Sequence, residues 1–351
     1  MDWKGNSLDK LEEFLHPIRK RLSRAERVAH FLPPSRRQAY VYDHAFLNEI
    51  EAVAYPYAQG FGRVPDFANP HCFAEKNRAL QLMHPNPLMS LVADKSAVRK
   101  FFDYSGVETP SSRVIKVFDD PDQIEWSKLP DRWVLKVSDG SSMHLVHTPD
   151  DPTTERELRK AIKKWKSLDH WRRYAELHYK DLPRRYVLEE YLPSDKFGRE
   201  CKLVCIHGEP YFISIFDRHK GERDCFDGEW KPQHIAMAGY PHPKHDTPRP
   251  EKFDQILADA RLLARQFIHA RIDFLEMNDR LILGEVTLTT HAMREPPVPA
   301  RVFDDMGAMM DMSTLPKYLD HGRKVAKALG WPLETSWGHH AGDPLLATAG
   351  R

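Results

Sequence analysis

Several features that would settle the class of this 351-residue chain at once are missing or scarce. Its four cysteines (Cys72, Cys201, Cys205 and Cys225) show no C-x-x-C spacing, which argues for reduced core thiols rather than a disulfide or zinc framework. No stretch approaches the roughly 20 apolar residues of a membrane span. The start, Met1-Asp-Trp-Lys-Gly-Asn6, lacks the apolar centre of a signal peptide, so a cytoplasmic protein is expected. An excess of one charge is missing too. Lys+Arg 52 against Asp+Glu 51 gives a net charge of +1, which leaves no global field to gather nucleic acid or a membrane surface. Neither GxxxxGK[ST] nor GxGxxG occurs, which excludes a Walker A loop and the dinucleotide fingerprint. What remains is an ordinary apolar content of 41% in a chain long enough for two or three subdomains.

The most informative stretch is residues 270–289, two apolar-rich runs around a polar turn at Asn278-Asp279, which reads as a β-hairpin. Asp273 lies on the first strand and Glu285 on the second. A two-residue turn would pair Met277 with Arg280 and send the two acids to opposite faces. A three-residue loop over 278–280 pairs Met277 with Leu281, Asp273 with Glu285 and Arg271 with Thr287. Side chains so opposed lie about 4.5–5.5 Å apart at Cβ, close enough to share a cation. Hard oxygen ligands without Cys or His point to Mg²⁺, usually met together with phosphates. An edge hairpin with its acids in water is the competing reading.

The rest of the chain supplies the context. Residues 1–60 read as helical, with Leu8, Leu11, Leu15, Ile18 and Leu22 at helical spacing, a break at Pro33-Pro34 and a second helix over about 36–54. A helix is expected from Asp94-Lys95 to about Ser105, then a strand over 114–117 and a helix start capped by Asp119 or Asp120. Residues 132–137 and 143–147 form a second hairpin around Ser138-Asp-Gly-Ser-Ser142. The small residues of that turn let backbone N–H groups meet an anion, with the Lys136 charge beside them. Alone, such a loop is a weak signal. Residues 152–180 read as a charged helix or helix pair, 185–193, 202–206 and 211–216 as strands, 239–250 as a loop and 251–267 as a helix.

Taken in order, these pieces resemble the ATP-grasp superfamily, specifically its TupA-like branch of teichuronopeptide biosynthesis, over about residues 65–310. The resemblance rests on Asn69-Pro70, Phe73, Glu75-Lys76, Asn86-Pro87, Asp94-Lys95, Arg99, Val134-Leu-Lys136, Asp139-Gly140-Ser141, Glu189-Glu190-Tyr191-Leu192, Lys202, His207-Gly208, Asp217, Asp273-Phe274 and Gly284-Glu285-Val-Thr287. It implies an α+β ATP-grasp fold with ATP held between two antiparallel-sheet subdomains. The expected order is a helical extension (1–64), an N-terminal α/β subdomain (65–130), a small lid subdomain (131–195), a catalytic subdomain (196–310), and a C-terminal helix and tail (311–351).

The resemblance also implies roles. Lys95 and Lys136 would contact the phosphates, and Gly140, Ser141 and Ser142 would close over them. Glu189 and the backbone of Glu190, Tyr191 and Leu192 would meet the adenine, Asp195 the ribose, and Lys202 joins this nucleotide set. Asp273 and Glu285 would hold Mg²⁺, with Thr287 where the superfamily usually has Asn. Arg271 would brace the transferred phosphoryl group. A second departure is Thr289-Thr-His-Ala-Met-Arg-Glu-Pro-Pro in place of a Gly/Ser-rich turn. There His291 and Arg294 replace small residues, and Arg294 is expected to orient an anionic substrate. The implied activity is an ATP-dependent carboxylate–amine ligase working through an acyl phosphate on a small-molecule or glycan carboxylate and an amine acceptor. A phosphotransferase on the same fold, or a nucleotide-binding protein without turnover, are the alternatives. Nucleic acid and a membrane span are not expected as partners, and the oligomeric state is left open.

Overall fold

The computed structural model describes residues 5–193, 197–233, 235, 246–277, 280–294 and 301–338. Three helices open it: α1 (Gly5–Ala29), α2 (Pro34–Ala45) and α3 (Glu49–Phe61). Leu11, Leu15, Ile18, Ala25 and Ala29 bury one stripe of α1, as their helical spacing requires. The single helix expected over 36–54 is in fact α2 and α3. The chain turns extended at Phe46, and the Asn48 side chain caps α3 by accepting from Glu51 N–H.

Three short helices follow, α4 (Phe73–Met83), α5 (Pro87–Ala93) and α6 (Val98–Ser105). The last begins later than Asp94-Lys95 predicts. The Asp94 carboxylate accepts from the Ser96 N–H and hydroxyl, which makes a turn there first.

The small sheet contains β1 (Val114–Phe118), β2 (Trp133–Val137), β3 (His144–His147) and β4 (Tyr186–Glu190), antiparallel in the order β1-β4-β2-β3. Thus β1, from the 65–130 segment, completes the sheet of the 131–195 strands. Alternation fixes its faces. Trp133, Leu135, Val137, Tyr186 and Leu188 pack on Leu158, Ile162 and Trp165 of α7 (Glu155–Lys166). Lys136 and Glu189 are left on the other face. The helix expected over Asp120 onward is only a 3-10 turn, Pro121–Gln123, capped by Asp120.

The large sheet runs β7-β6-β5-β8-β9: β5 (Phe197–Ile206), β6 (Glu209–Asp217), β7 (Glu222–Phe226), β8 (His269–Met277) and β9 (Leu281–Thr287). Leu203, Cys205, Ile213, Ile272 and Phe274 face α9 (Phe253–Ala264), which contributes Phe253, Ile256, Ala260 and Leu263 to the same core. α10 (Arg301–Met309) and α11 (Leu315–Ala328) cover further apolar surface. All four cysteines are free and buried, and burial pushes the Cys205 thiol up to about 12. Among the described residues no helix is long and apolar enough to cross a membrane.

The β8–β9 hairpin departs from the expected register. Glu276 pairs with Leu281 and Leu275 with Ile282, and Met277 N–H donates to Arg280 O at 2.9 Å. That is the register of a two-residue turn, not of a three-residue loop; Asn278 and Asp279 themselves lie outside the described residues. Asp273 nevertheless opposes Glu285, and Arg271 opposes Thr287, because the register shifts between Phe274 and Asp273. Gly284 is the extra residue, a β-bulge that turns Glu285 and Thr287 back toward the acid on β8. A Cβ at Gly284 would stand 3.0 Å from the Asp273 carbonyl oxygen, so a residue without one suits this approach.

Candidate active site

The uncovered faces of the two sheets meet in a cleft of about 410 Å³. Six cationic side chains line it (Lys95, Arg99, Lys136, Lys202, Arg271 and Arg294) against three acidic ones, Glu176, Glu189 and Glu285. A half-buried cleft with this imbalance favours an anion.

On the small-sheet side the hub is Glu189, 2% exposed. Lys136 Nζ lies 2.6 Å from its Oε2, Arg99 Nη2 2.8 Å from its Oε1, and the Ser112 hydroxyl donates to Oε2 at 3.0 Å. Burial alone would raise the Glu189 pKa, but Lys136 and Arg99 together hold it below the usual carboxylate range. Lys95 donates to the Gly140 carbonyl. Its pKa is lowered, first by burial and then by Lys136, with Glu285 and Glu189 acting the other way.

On the large-sheet side the hub is Arg271. Its Nε and Nη2 grip Asp273 at 2.6 and 2.8 Å, and Nη2 also reaches Glu285 Oε1 at 2.8 Å and Thr287 Oγ1 at 3.0 Å. This fork keeps the arginine charged against burial. The Thr287 hydroxyl donates to Glu285 at 2.8 Å. Lys202 Nζ sits 3.4 Å from Asp273 and 2.9 Å from Glu200. Partial loss of water inside the cleft would raise the Glu285 pKa, and Arg271, Lys95, Thr287 and Lys202 lower it instead. Glu285 keeps 54% side-chain exposure while Asp273 keeps 9%, so the pair presents one open and one sheltered carboxylate.

Of the residues singled out in the sequence, Lys95, Lys136, Ser141, Glu189, Lys202, Arg271, Glu285, Thr287 and Arg294 line the cleft together. Asp273 stands just behind Arg271. Gly140 is buried against His170 and Met143, while Ser142 is exposed with φ 59°. Glu190 accepts from Arg113 N–H at 2.9 Å, at the strand end, and the Arg132 guanidinium lies over the Tyr191 ring. Leu192 is half-buried beyond the strand, and Asp195 lies outside the described residues. Arg294 lies over the Tyr174 ring, its backbone resting where a Cβ on Gly60 of α3 would overlap.

Arg99, Ser112, His170, Glu176, Tyr179 and Thr289 also line the cleft, although nothing in the sequence assigns them a role. Arg99 stands four residues after Lys95, but no local signal ties His170 or Glu176 to either sheet.

The oxygen donors here fit a magnesium ion. Among the described residues no three His, Cys, Asp or Glu side chains gather as a metal site. Asp273 and Glu285 on adjacent strands match, in kind and number, the one or two carboxylates of a Mg²⁺ site completed by phosphates and water, and both are held here by Arg271.

The family model described as TupA-like ATPgrasp matches residues 75–310. No curated protein matches the sequence. Among solved structures, the D-alanine–D-alanine ligase from Bacillus anthracis complexed with ATP is 16% identical over 68% of this chain and 67% of that chain, with a TM-score of 0.33. The ligase of the same name from Helicobacter pylori is 16% identical over 65% of this chain and 61% of that chain, with a TM-score of 0.37. The ATP-grasp ligase PsnB, complexed with precursor peptide PsnA2 and AMPPNP, is 10% identical over 68% and 61%, with a TM-score of 0.34.

Proposed function

Because this chain belongs to the TupA-like ATP-grasp family, we propose that it is an ATP-dependent ligase that activates a carboxylate as an acyl phosphate and joins it to an amine. The observation that carries the reading is the convergence of Lys95, Lys136 and Arg271 on the cleft that Glu285 also faces, with Asp273 directly behind. The three cations come from three different parts of the chain, α5–α6, β2 and β8.

The chemistry suits such a lining. A carboxylate is a poor acyl donor because its oxygen leaves badly. Transfer of the γ-phosphoryl group onto it releases ADP, and the amine then displaces phosphate from the acyl carbon. A protein contributes mainly position and charge to this sequence. Lys95 and Lys136 would bind the phosphates, and the 140–142 loop would cover them and exclude water. Arg271 would brace the moving phosphoryl group, and Arg294 would orient the anionic carboxylate. Asp273 and Glu285 would hold Mg²⁺, which when bound neutralises charge on the phosphates. A glycan or small metabolite as the carboxylate is the finer form of the proposal.

The test is ATP consumption with Mg²⁺ across a panel of carboxylate and amine pairs, with product mass read alongside. ADP release that needs both partners and yields an amide is expected, and it should be lost in Asp273→Asn. Phosphate transferred to a hydroxyl with no amine present would establish a phosphotransferase instead. Absence of ATP use across the panel would overturn turnover of this kind.

A further inference from the structure

One hydrogen-bonded chain at the floor of the cleft connects elements that neither share a strand nor adjoin in sequence. His170 opens α8 (His170–Tyr174) and is buried. Its Nδ1 lies 3.3 Å from the backbone N–H of Ser141, in the loop between β2 and β3. An N–H can only donate, so Nδ1 carries no hydrogen and Nε2 does. Nε2 then donates to Glu176 Oε2 at 2.8 Å. The other oxygen of Glu176 accepts from the Thr289 hydroxyl, at the start of the loop after β9.

Both ends are built for the contact. A Cβ on Gly140 would stand 2.9 Å from His170 Cβ, so the glycine lets the loop come down onto the imidazole. At the far end the loop is held again from below. Arg78, fully buried in α4, donates to the carbonyls of Ala175 and Tyr174, at 2.8 and 3.1 Å, and also to that of Ala292. Ala292 and Met293 have φ of 51° and 49°, a conformation that costs free energy unless the surroundings impose it. The segment 170–176 is therefore attached to both loops by side chains that are themselves buried.

We propose that His170 and Glu176 are positioning residues that couple the 140–142 loop to the 289–294 loop, so that the loop over the nucleotide and the loop carrying Arg294 adopt their working positions together. The proposal depends on the ligase reading only for what the two loops carry. If a phosphate draws the Ser141 amide away, His170 loses its donor, and the imidazole, Glu176 and Thr289 readjust as one unit. Coupling through such a chain is reciprocal.

Hydrogen exchange of the protein without nucleotide, resolved by mass spectrometry, tests the coupling itself. Thr289→Val keeps shape and removes only the hydroxyl. It should speed exchange at 139–143 by about fivefold, the size expected for loss of one hydrogen bond. His170→Gln keeps an amide donor toward Glu176 and takes the acceptor away from the Nδ1 position that Ser141 uses. It should speed the same amides, and adding Thr289→Val to it should change them no further. A Thr289→Val effect confined to 286–294, or additive effects in the double variant, would overturn the coupling. Adding AMPPNP tests what the loops carry. The parent protein should gain protection at both segments, and His170→Gln at 139–143 alone. Protection of both segments in His170→Gln would also overturn the coupling. No protection at either segment of the parent would count against the nucleotide reading, while the first set of variants would still decide the coupling.

Discussion

Glu189 shows why charge partners, rather than charges, organise this cleft. A carboxylate 2% exposed requires neutralisation, and it receives two cations, Lys136 and Arg99, with Ser112 as a third donor. The arrangement separates binding from stability at Lys136. Lys136→Met keeps the aliphatic stem and removes the charge, yet Glu189 stays paired with Arg99. ATP affinity in a calorimetric titration should therefore fall about 10- to 100-fold, the range for one charged hydrogen bond. The melting temperature should move by no more than about 3 °C. Unchanged affinity would remove Lys136 from the phosphate site. Lys136 was visible because a Gly/Ser turn follows it, but its partner Glu189 stands 53 positions away. The pairing of Arg99 with Glu189, or of His170 with Ser141, follows from how the sheets close, and no local pattern encodes it.

At the scale of the element, the β8–β9 hairpin was more legible than its turn. Leu281 and Leu283 face the core, and so do Val286 and Leu288, although strict alternation would point the second pair into the cleft. The phase breaks at Gly284, and an isolated glycine inside a strand is the ordinary mark of a bulge. The two acids were thus correctly opposed for the wrong reason: the bulge supplies the offset, while the loop keeps a two-residue register. The 36–54 helix failed similarly, because the Asn48 cap outweighs a continuous helical pattern. Gly284→Val should show what the bulge does. A branched side chain where even a Cβ comes 3.0 Å from the Asp273 carbonyl must push β8 and β9 apart. Overpacking of this kind costs about 1–3 kcal/mol in denaturant unfolding. ATP turnover should fall about tenfold or more, since a misplacement of about 1 Å can cost two orders of magnitude. A variant with parental turnover would show that the Asp273–Glu285 spacing is not set by Gly284.

For the molecule as a whole, the packing of helices and sheets leaves several titratable groups buried away from water. His178 and His269 are 2% and 4% exposed, and the pKa of each is lowered from 6.5 to about 4. Burial is the main cause in both. His178 Nδ1 has no hydrogen-bond partner, and His269 uses Nδ1 on the Cys205 carbonyl at 3.0 Å. In the folded protein each imidazole therefore stays neutral until about pH 4, whereas in the unfolded chain it takes up a proton near pH 6.5. Between these values the unfolded state binds more protons, so stability is complete above about pH 6.5, declines as pH falls toward 4, and then levels off for these two groups. Glu176 takes over below. Its pKa is lowered to about 2 because His170, His178 and Thr289 outweigh the burial that would raise it. Its contribution, present above about pH 4.5, is lost toward pH 2. Unfolding followed from pH 8 to pH 4 should show little change down to about pH 6.5 and then a loss of several kcal/mol, since a difference of one pKa unit corresponds to about 1.4 kcal/mol. His269→Phe should flatten that slope by roughly half while the plateau above pH 7 shifts by a constant amount. If the slope of the variant equals that of the parent between pH 6.5 and 4, His269 is not the neutral buried group that sets it.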